Sequence, residues 1–144
     1  MNLNELLRQI FINDKDKRLS MAKAYTKEVL SYFIQYAGEE QGTILFIYLL
    51  SIYSYLPSQL TDEKRIYISK LMDKEYTGEE FSLLMNGGND INRINSLIKL
   101  LRLMDISIRY KAVTIGICIC EKDNRLTYKE EQIFNCLLNG ITIE

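Results

Sequence analysis

Three times along this chain an apolar run gives way to a short polar turn that closes on leucine and a hydroxyl residue. Lys15-Asp16-Lys17-Arg18-Leu19-Ser20 follows the run Leu6 to Ile12, and Lys122-Asp123-Asn124-Arg125-Leu126-Thr127 follows Val113 to Cys120. A looser version, Pro57-Ser58-Gln59-Leu60-Thr61, follows Ile44 to Leu50. Each reads as helix–turn–helix punctuation: an apolar helix ends, polar residues turn the chain, leucine fills the junction and the hydroxyl caps the next helix. Leu60-Thr61 and Leu126-Thr127 lie 66 residues apart, each between a nearly all-apolar helix and an amphipathic one. That spacing predicts two similar halves packed together. With one proline, seven glycines and little strand-like alternation, the fold class is all-α. We expect one domain over residues 1–144: a compact bundle of about seven helices with a duplicated helix-turn-helix core at 40–138 and an N-terminal helical pair at 1–38.

The periodicity places the helices. Asn2 caps a first helix to about Phe11, and Ser20 or Asp16 caps a longer one that stops at Ala37-Gly38. Ala22, Tyr25, Val29, Phe33 and Tyr36 form its apolar stripe. The third helix, about Glu40 to Tyr55, is apolar on nearly every side and belongs at the centre. Thr61 caps a fourth helix ending near Met72. Thr77-Gly78-Glu79-Glu80 is a capping box, and Asn86-Gly87-Gly88 a stop. Asn89 or Asp90 opens a helix with Ile91, Ile94, Leu97, Ile98, Leu101 and Met104 on one face. Asp105 or Ser107 opens the next, to about Cys120, although the β-branched run Val113 to Ile117 also suits a strand. Thr127 caps the last helix, which ends at Asn139-Gly140, leaving the tail Ile141 to Glu144 loose or tucked against the bundle.

Composition removes several kinds of chemistry. There is no histidine, so Ser–His and Cys–His catalysis within the chain are excluded, along with the commonest metal ligand. Cys118 and Cys120 stand two apart on one helix and point to different sides, so they cannot pinch a metal as a C-x-x-C turn does. With Cys136 they read as small core residues of a reducing compartment. No phosphate-binding, dinucleotide or nucleophile-elbow motif occurs. Gly42 to Leu60 is uncharged, but its apolar part is too short and too rich in tyrosine to span a membrane. The N-terminus shows no signal region, and a cytoplasmic location is expected. A calcium loop at either hexapeptide fails because Arg18 and Arg125 stand where an oxygen ligand is needed.

Net charge is −1, but its sign is uneven. Residues 1–38 carry six bases against four acids, residues 39–90 four against nine, and residues 91–144 eight against six. The acidic middle is densest at Asp73, Glu75, Glu79 and Glu80, the candidate surface for a basic partner. A weaker basic set, Arg93, Lys99, Arg102, Arg109 and Lys111, lies on two consecutive helices.

The turn itself resembles a known pattern. Asp123-Asn124-Arg125-Leu126-Thr127-Tyr128-Lys129-Glu130 is similar to the Asp-Gly-x-[Ile/Leu]-[Ser/Thr]-x-x-Glu turn that tellurite-resistance TerB-like all-α domains often carry twice. Asn124 stands in for the glycine, and asparagine tolerates the left-handed backbone. The earlier half departs: Pro57 replaces the Asp, Ser58 the Gly and Lys64 the Glu. The resemblance covers roughly residues 40–138. It implies a bacterial stress-response or defence setting, and it implies metal ligands at the acidic positions, of which Asp123 and Glu130 carry over. Helix capping accounts for the same two residues.

These features point to a non-catalytic protein-interaction or adaptor module with another protein as partner, no cofactor, no membrane span and room for self-association. A small inhibitor or immunity-type protein that blocks a toxin or nuclease through the acidic surface is the second reading. A nucleic-acid-associated subunit using the basic helices is the third.

Overall fold

The structure, a computed structural model, describes residues 1–142. Among these are eight α-helices: α1 Leu3–Phe11, α2 Lys15–Ala37, α3 Glu39–Ser54, α4 Asp62–Met72, α5 Gly78–Leu84, α6 Arg93–Arg102, α7 Ile106–Cys120 and α8 Tyr128–Thr142. A single 3-10 turn, Asn86–Gly88, follows α5. The expected all-α bundle is present, with eight helices among the described residues where about seven were anticipated; α5 is the short helix expected between the Thr77 capping box and the Asn86-Gly87-Gly88 stop. No strand forms among the described residues. The β-branched run before Cys120 is helical, and all nine residues from Ala112 to Cys120 are buried. A helix satisfies its own backbone in such a setting, where a lone strand would leave hydrogen-bonding groups unpaired.

The packing repeats by position. Helix α2 lies on α3 and α4 and crosses to α7; α6 lies on α7 and α8 and crosses to α3. The two nearly all-apolar helices, α3 and α7, therefore meet in the middle, as their composition requires. Tyr53 of α3 is fully buried, stacks on Phe134 of α8 at 6.3 Å, and donates its hydroxyl to Ala112 O at 2.9 Å. Gly116 of α7 is the reason the pair can close: a side-chain carbon there would overlap the Tyr53 ring. Phe33, Phe46 and Phe134 are likewise fully buried, each worth about 1.5–3 kcal/mol of apolar burial.

Several boundaries differ from expectation, each for a local reason. Helix α2 begins at Lys15 because Asp14 caps it, its carboxylate accepting from Lys17 N at 2.9 Å; neither Asp16 nor Ser20 is the cap. The first hexapeptide is therefore inside a helix and is no turn. Helix α6 begins only at Arg93, so Ile91 drops off the predicted stripe and is 92% exposed. Helix α8 runs past Gly140 to Thr142, with Ile141 buried; the rest of the expected tail, residues 143–144, lies outside the described residues. Cys118 and Cys120 are core residues, whereas Cys136 is exposed.

Candidate functional site

The polar heart of the molecule lies where the two surviving turns face each other. Each opens a helix by the same rule. Thr61 Oγ1 accepts from Lys64 N at 3.2 Å, and Thr127 Oγ1 accepts from Glu130 N at 3.2 Å. At the second turn the bond is reciprocated, since Glu130 Oε1 accepts from Thr127 N at 2.8 Å. At the first turn a lysine stands in the glutamate's place. Lys64 turns away from the cap and donates to two carbonyls of the loop after α3, Leu56 O and Gln59 O, the latter at 3.0 Å. It thus ties down the loop between α3 and α4 from the first turn of α4.

Between the two turns is a cleft of about 390 Å³, whose lining includes Thr61, Lys64, Tyr67, Cys120, Thr127 and Glu130. Lys64 is 7% and Glu130 5% exposed, so two opposite charges lie buried on its walls. Burial lowers the Lys64 ammonium from the ordinary lysine range, against the pull of Cys120 and Glu130. Burial also pushes the Cys118 and Cys120 thiols up to about 12. Both stay protonated at neutral pH and are poor nucleophiles. Tyr67, hydrogen-bonded to the Cys118 thiol, is held well above its usual value, mainly by burial. Across the mouth, Lys122 Nζ lies 3.7 Å from Glu63 Oε1.

A second buried cation ties the first hexapeptide to the second turn. Arg18, 3% exposed, donates to Asn13 O at 3.0 Å and to Asn124 Oδ1 at 2.7 Å, and lies 3.5 Å from Glu121 Oε1. Its guanidinium also covers the Phe11 ring at 5.2 Å. Neither buried cation was legible as such in the sequence. Their acceptors are mostly backbone carbonyls or side chains from a distant segment, and no motif announces such a partner.

The candidate metal ligands come together only in part. Asp123 and Glu130 line one cavity of about 400 Å³ on the turn, in company with Lys122 and Arg125. Asp123 is exposed on a left-handed residue, φ 53°, and one Glu130 oxygen is committed to the cap. Among the described residues no three His, Cys, Asp or Glu side chains group to hold a metal. The four acidic surface candidates divide into two kinds. Asp73 ends α4 in the left-handed conformation and pairs with Lys23 at 2.6 Å, which holds its carboxyl below the usual range. Glu80 closes the Thr77 capping box, and the Thr77 amide lowers it too. Glu75 and Glu79 are exposed, with no ion pair among the described residues.

Most of the basic set is spent on the fold. Arg93 donates to Pro57 O at 3.1 Å and Arg102 to Gly140 O at 2.8 Å. Arg109 donates to Met104 O and Ile141 O, both at 2.8 Å, and Lys111 reaches Glu28 at 3.0 Å. These side chains are tied to the fold, and of the five only Lys99 has no such bond among the described residues. No helix of the described residues is long and apolar enough to cross a membrane. The chain matches no family model, no curated protein and no solved structure.

Proposed function

We propose that this protein is a non-catalytic interaction module that docks a basic, partly apolar segment of another protein on the corner formed by the end of α4 and by α5. One observation carries the reading. Glu79 and Leu83 are one helical turn apart on α5, both exposed, with Leu83 at 74%. Glu75 lies just before that helix, and Leu84 and Ile91 add exposed apolar surface on α5 and after it. Carboxylates beside exposed leucines complement a cationic amphipathic segment, the charges setting encounter and the leucines residence. The arginines of α6 and α7 being held internally favours this acidic corner over a basic nucleic-acid groove. The resemblance to TerB-like domains supports a bacterial stress-response or defence setting, and an immunity-type inhibitor would use the same corner.

The test is affinity capture from the native host with three baits: wild type, Glu75→Lys/Glu79→Lys/Leu83→Asp, and Lys99→Glu. A partner with a basic segment that the triple variant loses and Lys99→Glu keeps supports the reading. A partner lost only with Lys99→Glu overturns it.

A further inference from the structure

We infer that the cleft between the two capped turns is a binding site for a small zwitterion, whose carboxylate meets Lys64 and whose ammonium meets Glu130. The inference is independent of the acidic corner. It begins from the near-equivalence of the two helix starts, Thr61 to Lys64 and Thr127 to Glu130, with charges of opposite sign at the matching third positions.

Both residues are more than nine-tenths buried, and among the described residues no ion pair joins them. Each keeps unused capacity. Lys64 has three protons and gives two of them to Leu56 O and Gln59 O. Glu130 uses one oxygen on Thr127 N, and its second oxygen has no protein donor among the described residues. The Thr61 and Thr127 oxygens accept from helix amides, which leaves each hydroxyl proton free to donate. Two opposite charges that line one cleft without touching are completed together only by a partner that carries both complements, and the cavity they share is the place for it. The volume, about 390 Å³, falls at the lower end of small-molecule sites, roughly 300–1,000 Å³. Pro57, Tyr67 and Ile119 supply apolar wall for a short carbon linker. A divalent cation is a poor occupant, because Lys64 already places a positive charge on the cleft wall. A simple anion or amine would satisfy one wall and leave the other charge uncompensated.

The test uses the full chain and a defined probe set: glycine, β-alanine, γ-aminobutyrate, L-glutamate and L-lysine, with acetate and methylamine as single-charge controls. Thermal shift and isothermal titration are read first. At least one zwitterion is expected to raise the melting temperature in a concentration-dependent way, and acetate and methylamine should not. Lys64→Met and Glu130→Gln should each weaken binding by about tenfold or more, the loss expected for a charge-assisted hydrogen bond. Glu75→Lys/Glu79→Lys should leave it unchanged, which separates failure here from failure of the docking corner. Since Lys64→Met could lose the fold, a second readout uses wild type alone. Lysine acetylation mapped by mass spectrometry should show Lys64 selectively protected by the active zwitterion. The proposal is overturned if no zwitterion shifts the melting curve or protects Lys64, if acetate or methylamine acts as strongly, or if both folded variants bind as wild type does.

Discussion

The two hexapeptides share the order Lys-Asp-x-Arg-Leu-hydroxyl, yet Lys15–Ser20 is the first part of a helix and Lys122–Thr127 is a turn. The residue before each copy does the same work: Asp14 accepts from Lys17 N at 2.9 Å, and Glu121 accepts from Asn124 N at 3.1 Å. The third position is one place where they differ. Lysine is a good helix former, and Lys17 stays right-handed. Asn124, with Asp123, takes the left-handed region at φ 63° and 53°, which lets Lys122 and Arg125 bond to each other in both directions. The copies then become partners, since Arg18, carried inward by its helix, ends on Asn124 Oδ1. Likeness of sequence here records neither a repeated structure nor a repeated site. The copies differ at two positions, Lys17/Asn124 and Ser20/Thr127, and in their flanks, and their backbones differ with them.

The largest predicted effect breaks this partnership. Arg18→Ala removes the donor from Asn13 O, Asn124 Oδ1 and Glu121 Oε1, all part-buried bonds of one buried guanidinium, and should cost about 3 kcal/mol. Arg125→Ala, the same motif position in the exposed turn, should change stability by no more than about 0.5 kcal/mol. Urea unfolding of the two variants measures the contrast, and equal effects would dissolve it.

How much of this could be read beforehand follows from the range of the forces. The stripes that bury Val29, Phe33, Leu97 and Leu101, and the central place of α3, follow from the apolar pattern and were legible, whereas the β-branched run of α7 left helix and strand open. So were the caps at Thr61, Thr77 and Thr127, because a cap reaches only three residues. Helix starts were missed where several polar residues competed within a few positions, as at Asp14, which caps α2, and Asp16 and Ser20, the two candidates. The burial of Arg18 and Lys64 was out of reach. Both lie among polar neighbours in sequence, and their partners are fixed by tertiary packing. The cleft inherits that difficulty: one of its charges, Glu130, belongs to a readable capping box, and the other, Lys64, does not.

A second contrast concerns the apolar runs before the copies. The run ahead of the first copy carries no thiol, whereas the run ahead of the second ends in Cys118-Ile119-Cys120. Each buried thiol titrates at about 12 in the fold, above the ordinary value of 9.0. A group whose folded value is raised keeps its proton where the unfolded chain has lost it, so its contribution is full below pH 9 and declines from there toward about 12. Between pH 9 and 10 each thiol should cost about 1 kcal/mol of stability. Replacing both by valine should flatten that part of a urea-unfolding pH series. An unchanged slope would place the alkaline loss on the tyrosines instead.

The smallest effects test the caps, where the copies differ in which residue does the work. Asp14→Ala and Thr127→Ala each remove the oxygen that receives an orphan amide and should cost about 1 kcal/mol. Ser20→Ala, at the position matching Thr127, should be neutral or stabilising by a few tenths of a kcal/mol. Ser20 is exposed inside α2, where alanine has the higher helix propensity. Chemical denaturation of the three variants checks the order. If Ser20→Ala cost as much as Thr127→Ala, the first hexapeptide would be a turn in solution, and Arg18 could not reach Asn124 from the first turn of a helix. The cap measurement therefore bears on the buried arginine as well, through the same backbone.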